Sequence, residues 1–266
     1  MGQNRSLERG IEILRAFRPG VDLLGNSELA ERTGLPRATV SRLSQTLVNS
    51  GLLEHDRREQ AYRLAAPVLS LGLAMRMAST ILTVAAPLMR AAAEALRINV
   101  GLATADRDAM VYLESVRYNR RVAWRNVVAG QRIPIEETSL GRAYLYTRPP
   151  AAQRDFLARL KERRPEAGQD LEPKILATFD SIRSQGFCAA SWQPNVTALA
   201  TPILVEDYTA HALNMSVTSS RPAPEIVAEL KEPLLELARR LSDQLHQASD
   251  RERHGWRHGT EKCGEL

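Results

Sequence analysis

The chain has 266 residues, of which 44% are hydrophobic and 25% charged, with a formal net charge of +5. That composition excludes global disorder, and the length suits one large domain or two ordinary ones. The charge is spread evenly, net +2 over residues 1–66 and +3 over the rest, so any nucleic-acid reading must rest on where particular arginines point.

In chain order, "SLERGIEILRAFRPG" carries Leu7, Ile11, Leu14 and Phe17 at near-helical spacing, with Ser6 as the cap and Pro19-Gly20 as the stop. Asn26-Ser27 cap a second helix, "ELAERTG". A third begins near Pro36 and ends at Asn49-Ser50-Gly51. "GLLEH" and "AYRLA" read as short strands around the charged turn "DRREQ", so residues 1–66 form three helices and a small hairpin. Residues 67–82, "PVLSLGLAMRMASTIL", are too apolar to stand alone in water and read as a linker helix that packs on a second subunit.

Beyond that point "TVAAPLMRAAAEALR" is helical, "VGLATADRDAMVYLESV" gives two strands around Asp106-Arg107-Asp108, and "RRVAWRNVVAG" is a further strand candidate. "SLGRAYLYT", "AQRDFLARLKERR" and "EPKILATFDSIRSQGF" are helical. "NVTALATPILVE" and "AHALNMSVTSS" are strands, and "PEIVAELKEPLLELARRLSDQLHQA" is a long amphipathic closing helix. A hairpin-built sheet with helices around it makes residues 83–250 an α+β domain. Residues 251–266, with almost no apolar content, read as a polar mobile tail.

The stretch Asn26–Gln45, "NSELAERTGLPRATVSRLSQ", has the layout of a helix-turn-helix. Ala30 is small where two helices must approach, Gly34 supplies the positive φ of the turn, and Val40 and Leu43 recur at the spacing that buries the third helix. At 100° per residue, Val40, Leu43 and Leu47 mark the buried side. Ala38, Ser41, Arg42, Gln45 and Asn49 lie opposite, with Arg37 and Thr39 flanking the first turn. Arg42 suits a guanine edge and Gln45 an adenine, Ser41 and Thr39 suit phosphate or base, and Ala38 permits close approach. Arg57 and Arg58, side by side in the hairpin turn, are placed to neutralise phosphates. Residues 1–66 are therefore read as a winged helix-turn-helix binding double-stranded DNA.

From these segments the chain resembles the IclR-type transcriptional regulators. The likeness rests on "SLERGIEIL", "ELAERTGLPRATVSRLSQTLVNSGLLE" and "YRL" in the first domain. In the second it rests on "GQRIPIEETSLGRAYL", "IRSQGF", "TALATPI" and "ALNMSVTSS". The resemblance implies an N-terminal winged helix, a dimerising linker helix and a C-terminal GAF-like α+β effector domain. It further implies a homodimer or homotetramer on a partly palindromic operator, under control of a small organic effector. The effector residues it implies are Glu136, Ser139 and Leu140 around the helix after "G-x-R-x-P", with Val122, Trp124 and Arg125 on the preceding strand and Ala198, Ser216 and Thr218 on the last strand pair. The chain departs from the family pattern at Glu136, where a histidine is common. It departs again at "CAASWQP", where an acidic run is common, and at Ala198, where a cysteine is often near. These differences point to a larger or more apolar ligand, and Arg125 is placed to pair with a carboxylate.

Signatures of catalysis are missing: no G-x-S-x-G, S-x-x-K, H-E-x-x-H or glycine-rich phosphate loop occurs. Cys188 and Cys263 form no disulfide framework, and His254, His258 and Cys263 sit in the polar tail, so neither metal nor cofactor is expected. No signal peptide and no apolar run of roughly 18 residues occurs, which implies a cytoplasmic protein without a membrane partner. The fold expected is mainly α with α+β, and the function a ligand-responsive DNA-binding regulator. An enzyme with an accessory DNA-binding domain is the alternative.

Overall fold

The computed structural model describes residues 4–118, 128–206 and 208–260. The chain divides into two compact units between Ser79 and Thr80.

The first unit contains α1 (Arg5–Ala16), β1 (Leu24–Gly25), α2 (Asn26–Thr33), α3 (Arg37–Asn49), β2 (Leu53–Asp56), β3 (Ala61–Leu64) and α4 (Ala66–Met77). Its core joins Ile13, Leu24, Leu29, Val40, Leu43, Leu53 and Tyr62. Asn4, two residues before the expected Ser6, caps α1 by accepting from Leu7 N at 3.2 Å. The helix also turns a different side inward: Gly10, Ile13, Ala16 and Phe17 are buried, whereas Leu7 is 63% exposed and Ile11 41%. Helix α1 is apolar on two sides, and periodicity alone cannot say which of them meets the core. Gly34, at φ 68°, closes α2 in the left-handed conformation that the turn requires. The strands form a small antiparallel sheet ordered β1-β3-β2, to which Leu24–Gly25 add an unforeseen edge.

Helix α4 buries none of its residues within its unit. Leu69, Leu71, Leu73, Met75 and Met77 all lie exposed on it. The helix stops at Met77 and a new one starts at Thr80, so the expected single segment 67–82 spans a break.

The second unit is built on a six-stranded antiparallel sheet ordered β6-β5-β4-β9-β8-β7. The strands are β4 (Asn99–Asp106), β5 (Ala109–Arg117), β6 (Arg132–Pro134), β7 (Cys188–Ala190), β8 (Val196–Ile203) and β9 (His211–Thr218). The strand candidate "RRVAWRNVVAG" lies largely outside the described residues. Side chains alternate between faces along each strand, so each face carries its own core. One face, with Val100, Leu102, Leu199, Leu213 and Met215, packs on α5 (Thr80–Leu96) and α9 (Ala223–Thr260). The other, with Ala103, Tyr112, Cys188, Ala200 and Ala212, packs on α6 (Ser139–Tyr146), α7 (Pro150–Arg163) and α8 (Pro165–Gln185). Helix α9 runs on to Thr260, past the position where a polar tail was expected to begin. No single helix among the described residues is long and apolar enough to cross a membrane.

Candidate functional site

The third helix of the first unit separates into two sides. Val40, Leu43 and Ser44 are buried, and Leu47 is half-buried beneath them. Arg37, Ala38, Ser41, Arg42 and Gln45 are exposed on the other side, with Thr39 at the margin. Gln45 Nε2 donates to Asn49 Oδ1 at 3.0 Å, which holds the amide along the helix. The two helices of the motif begin differently. In α2, Glu28 reaches back to accept from Gly25 N at 2.9 Å, closing its own N-terminus. In α3, Pro36 provides no side-chain cap and the first turn holds no acidic residue, so its N–H groups and positive dipole end stay available to an anion.

The hairpin turn beside it is held by one carboxylate. Asp56 Oδ1 accepts from Arg58 N at 3.0 Å and Glu59 N at 3.2 Å, while Oδ2 pairs with Arg63. The backbone bonds from Glu59 and Arg58, then Arg63, keep the Asp56 carboxyl below its ordinary pKa. Gln60 sits at φ 49° and its amide donates to Arg57 O at 2.7 Å, completing the turn. The arginines of α2, α3 and the hairpin thus fall into two groups. Arg32 donates to Ala16 O and Arg63 pairs with Asp56, both holding the fold together. Arg37, Arg42, Arg57 and Arg58 are exposed and have no hydrogen-bond or ion-pair partner for their guanidinium groups among the described residues.

In the second unit the expected effector residues scatter more widely. Val122, Trp124 and Arg125 lie outside the described residues. Glu136 is buried, with its carboxylate 3.4 Å from Arg164, which also pairs with Glu137 at 2.6 Å. Arg142 Nε donates to Glu136 O at 2.9 Å, and burial pushes its pKa down. Ser139 and Leu140 are each 1% exposed, and Leu140 belongs to the core beneath α6. The Ser139 carbonyl accepts from Cys188 Sγ at 3.5 Å, and Cys188 is paired with Ala200 in the sheet. Ser139 therefore stands one pleat repeat along β8 from Ala198. Ala198 and Ser216 are direct cross-strand partners, and Thr218 follows on the same face at the exposed strand end.

The same face carries residues that sequence reasoning did not select. A Cβ at Gly101 would meet Asn214 Oδ1 and Tyr112 Cε1, each at 2.5 Å, so the glycine makes room for a ring and an amide lying over its backbone. Tyr112 and Asn214 are buried and hydrogen-bonded to each other, and burial raises the phenol pKa to about 12, so its proton stays on. Arg117 follows on β5, and its Nε is buried without a partner. The available signal was a glycine inside an apolar strand, which marks close approach by another group.

Two family models cover this architecture. The IclR helix-turn-helix domain matches residues 6–57, and the C-terminal domain of the bacterial transcriptional regulator IclR matches residues 75–243. The chain belongs to the IclR family. Over 149 residues it is 40% identical to the HTH-type transcriptional regulator TsaQ1/TsaQ2 of Comamonas testosteroni, covering 56% of this chain and 53% of that protein. It is 28% identical to the Pca regulon regulatory protein of Pseudomonas putida, over 91% of this chain and 83% of that one. Among solved structures, an IclR family transcriptional regulator from Brucella abortus superposes with a TM-score of 0.81 at 33% identity, covering 90% of this chain and 91% of that chain. An IclR homolog from Microbacterium hydrocarbonoxydans, complexed with 4-hydroxybenzoate, shares the fold at TM-score 0.67 and 24% identity, over 91% and 99% of the two chains. This IclR-family chain is thus a transcriptional regulator with a DNA-binding helix-turn-helix domain. Glu136, where the resemblance leads to the expectation of a histidine, is held by Arg164 within the fold.

Proposed function

We propose that this IclR-family regulator reads a partly palindromic operator through α3 and the β2–β3 turn, and that a small organic acid bound by its C-terminal unit controls its occupancy of DNA. The observation that carries the DNA half is the quartet Arg37, Arg42, Arg57 and Arg58 on α3 and the adjoining turn, solvated and without a guanidinium partner among the described residues, whereas Arg32 and Arg63 of the same motif are bonded within the fold. Arg42 reads a base edge, with Ala38, Ser41, Thr39 and Gln45 around it, and Arg57 and Arg58 contact the phosphate backbone. The bare apolar surface of α4, with Leu69 and Met77 each 77% exposed, supports pairing of two copies into a dimer, or into a tetramer by further contacts. Such a dimer presents two α3 helices to successive major grooves in the cytoplasm.

An aromatic or carboxylate effector is favoured by two relatives, the Pca regulon regulatory protein and the p-hydroxybenzoate hydroxylase transcriptional activator of Acinetobacter baylyi. Ala198, Ser216, Thr218 and Ser139 are the described effector residues, with Glu136 and Leu140 supporting them from behind. Val122, Trp124 and Arg125 complete the set. Titration of DNA upstream of the gene, followed by fluorescence anisotropy, tests the DNA half. Arg42→Ala is expected to cost about 1–3 kcal/mol on the operator and little on random DNA. The pair Arg57→Ala and Arg58→Ala is expected to weaken both alike and to flatten the salt dependence. Unchanged operator binding by the Arg42 variant would overturn the assignment of the reading face.

A further inference from the structure

Three polar side chains on the α6 side of the large sheet stand in one cross-strand row. Asn99 pairs with Arg117 on one side and with Ser216 on the other, and Ser216 pairs with Ala198. Cross-strand partners share a face, so the order Arg117, Asn99, Ser216, Ala198 runs across β5, β4, β9 and β8. Row members lie at the end of the face beyond the α6 core, and Arg117, Asn99 and Ser216 are half-buried rather than sealed. Directly above, the Tyr112–Asn214 pair over Gly101 forms a satisfied, rigid ledge.

Arg117 interacts electrostatically with Tyr112, but none of the three side chains has a hydrogen-bond partner among the described residues. Asn99 and Ser216 make no side-chain hydrogen bond among the described residues, and Arg117 Nε is buried with nothing to donate to. A guanidinium with a buried, unpaired donor is costly, and an anion in its plane removes that cost. Glu114, on the same strand, does not serve: it pairs across to Leu102 on the opposite face, and its Oε1 accepts from Ser115 N.

We infer that this row is the anchoring subsite for the effector and that Arg117 takes its carboxylate, the role expected of Arg125. This inference rests on the effector reading given above. Strands lie about 4.8 Å apart, so Ser216 stands roughly 10 Å across the sheet from Arg117. That span fits a small organic acid whose carboxylate meets Arg117 and whose second polar group, at its far end, meets Ser216, with Asn99 between them. Ala198 and Ala190, paired at the β8–β7 end, leave that side of the row low. The ligand class is a compact monocarboxylate bearing a hydroxyl or similar group, lying flat on the sheet below the Tyr112–Asn214 ledge.

The test uses the full chain with four probes: benzoate, 4-hydroxybenzoate and the two corresponding carboxamides. Binding is read by calorimetry and operator binding by anisotropy on the same samples. The wild type is expected to prefer 4-hydroxybenzoate over its amide by about tenfold or more. Arg117→Gln should erase that preference, Arg117→Lys should keep most of it, and Ser216→Ala should remove the advantage of the hydroxylated acid over benzoate. Circular dichroism and thermal melting of each variant report that the C-terminal unit is folded. If Arg117→Gln retains the acid-over-amide preference, the inference is overturned while the effector reading stands. If the wild type responds to none of the four probes, the inference and the aromatic-carboxylate reading both fail, and the DNA-binding reading is judged separately by the operator titration.

Discussion

Gly101→Ala is the substitution that most directly probes the sheet face. The added methyl would lie 2.5 Å from both Tyr112 Cε1 and Asn214 Oδ1, where carbon contacts settle near 3.5 Å or beyond. Both groups must retreat by about 1 Å, yet Tyr112 and Asn214 are 8% and 5% exposed and have little free space. Overpacking of this kind costs about 1–3 kcal/mol. Separating the buried phenol from its amide partner adds about 1–3 kcal/mol. A combined loss of roughly 2–6 kcal/mol corresponds to a fall of roughly 4–24 °C in the melting transition of the C-terminal unit. Scanning calorimetry on the full chain measures it. A shift below about 2 °C would mean that the ring and amide do not lie over this glycine, and the ledge described above would have to be abandoned.

Other outcomes are equally definite. Leu69→Glu with Leu73→Glu places two charges one turn apart on the bare surface of α4, and sedimentation should then show a monomer where the wild type is a dimer or larger; an unchanged mass would remove α4 from the interface. His211 is buried and desolvation lowers its pKa from 6.5. Its folded form stays neutral where the unfolded chain takes up a proton, so its contribution is complete above about pH 6.5 and is lost as pH falls toward the folded value. Urea midpoints should therefore drop between pH 7.5 and 5.5, and His211→Gln should make that drop smaller; an equal drop in the variant would clear His211 of the effect. Cys188 is fully buried and its pKa is pushed up to about 12, so it should resist iodoacetamide in the native chain and label in urea, as peptide mass mapping will show.

The helix-turn-helix was legible because its signals are local. The Val40–Leu43 spacing, the positive φ at Gly34 and the turn between β2 and β3 all lie within a few tens of residues, and each is read from its own neighbourhood. Helix α1 was legible as a helix but not in orientation, since Leu7 and Ile11 offered a second apolar side. The sheet face was different in kind. Gly101 meets Asn214 across more than a hundred residues, and a pattern of alternating side chains predicts strands without stating which strand lies next to which. The row from Arg117 to Ala198 exists only in that strand order, so no local signal announced it. β6 and β7, at three residues each, are too short to leave a periodicity.

The pairing of β4 with β9 also sets a timetable. Residues 99–104 form the middle of the large sheet only when residues 211–216 have been made, whereas the first unit is complete at Ser79. At ribosomal rates of about 5–20 residues per second, the interval between the two events is roughly 7–30 s. During that time the nascent chain carries a finished helix-turn-helix followed by a strand whose long-range partner does not yet exist. Its apolar residues, Val100 and Leu102 among them, have only α5 and β5 beside them until β9 and α9 are made.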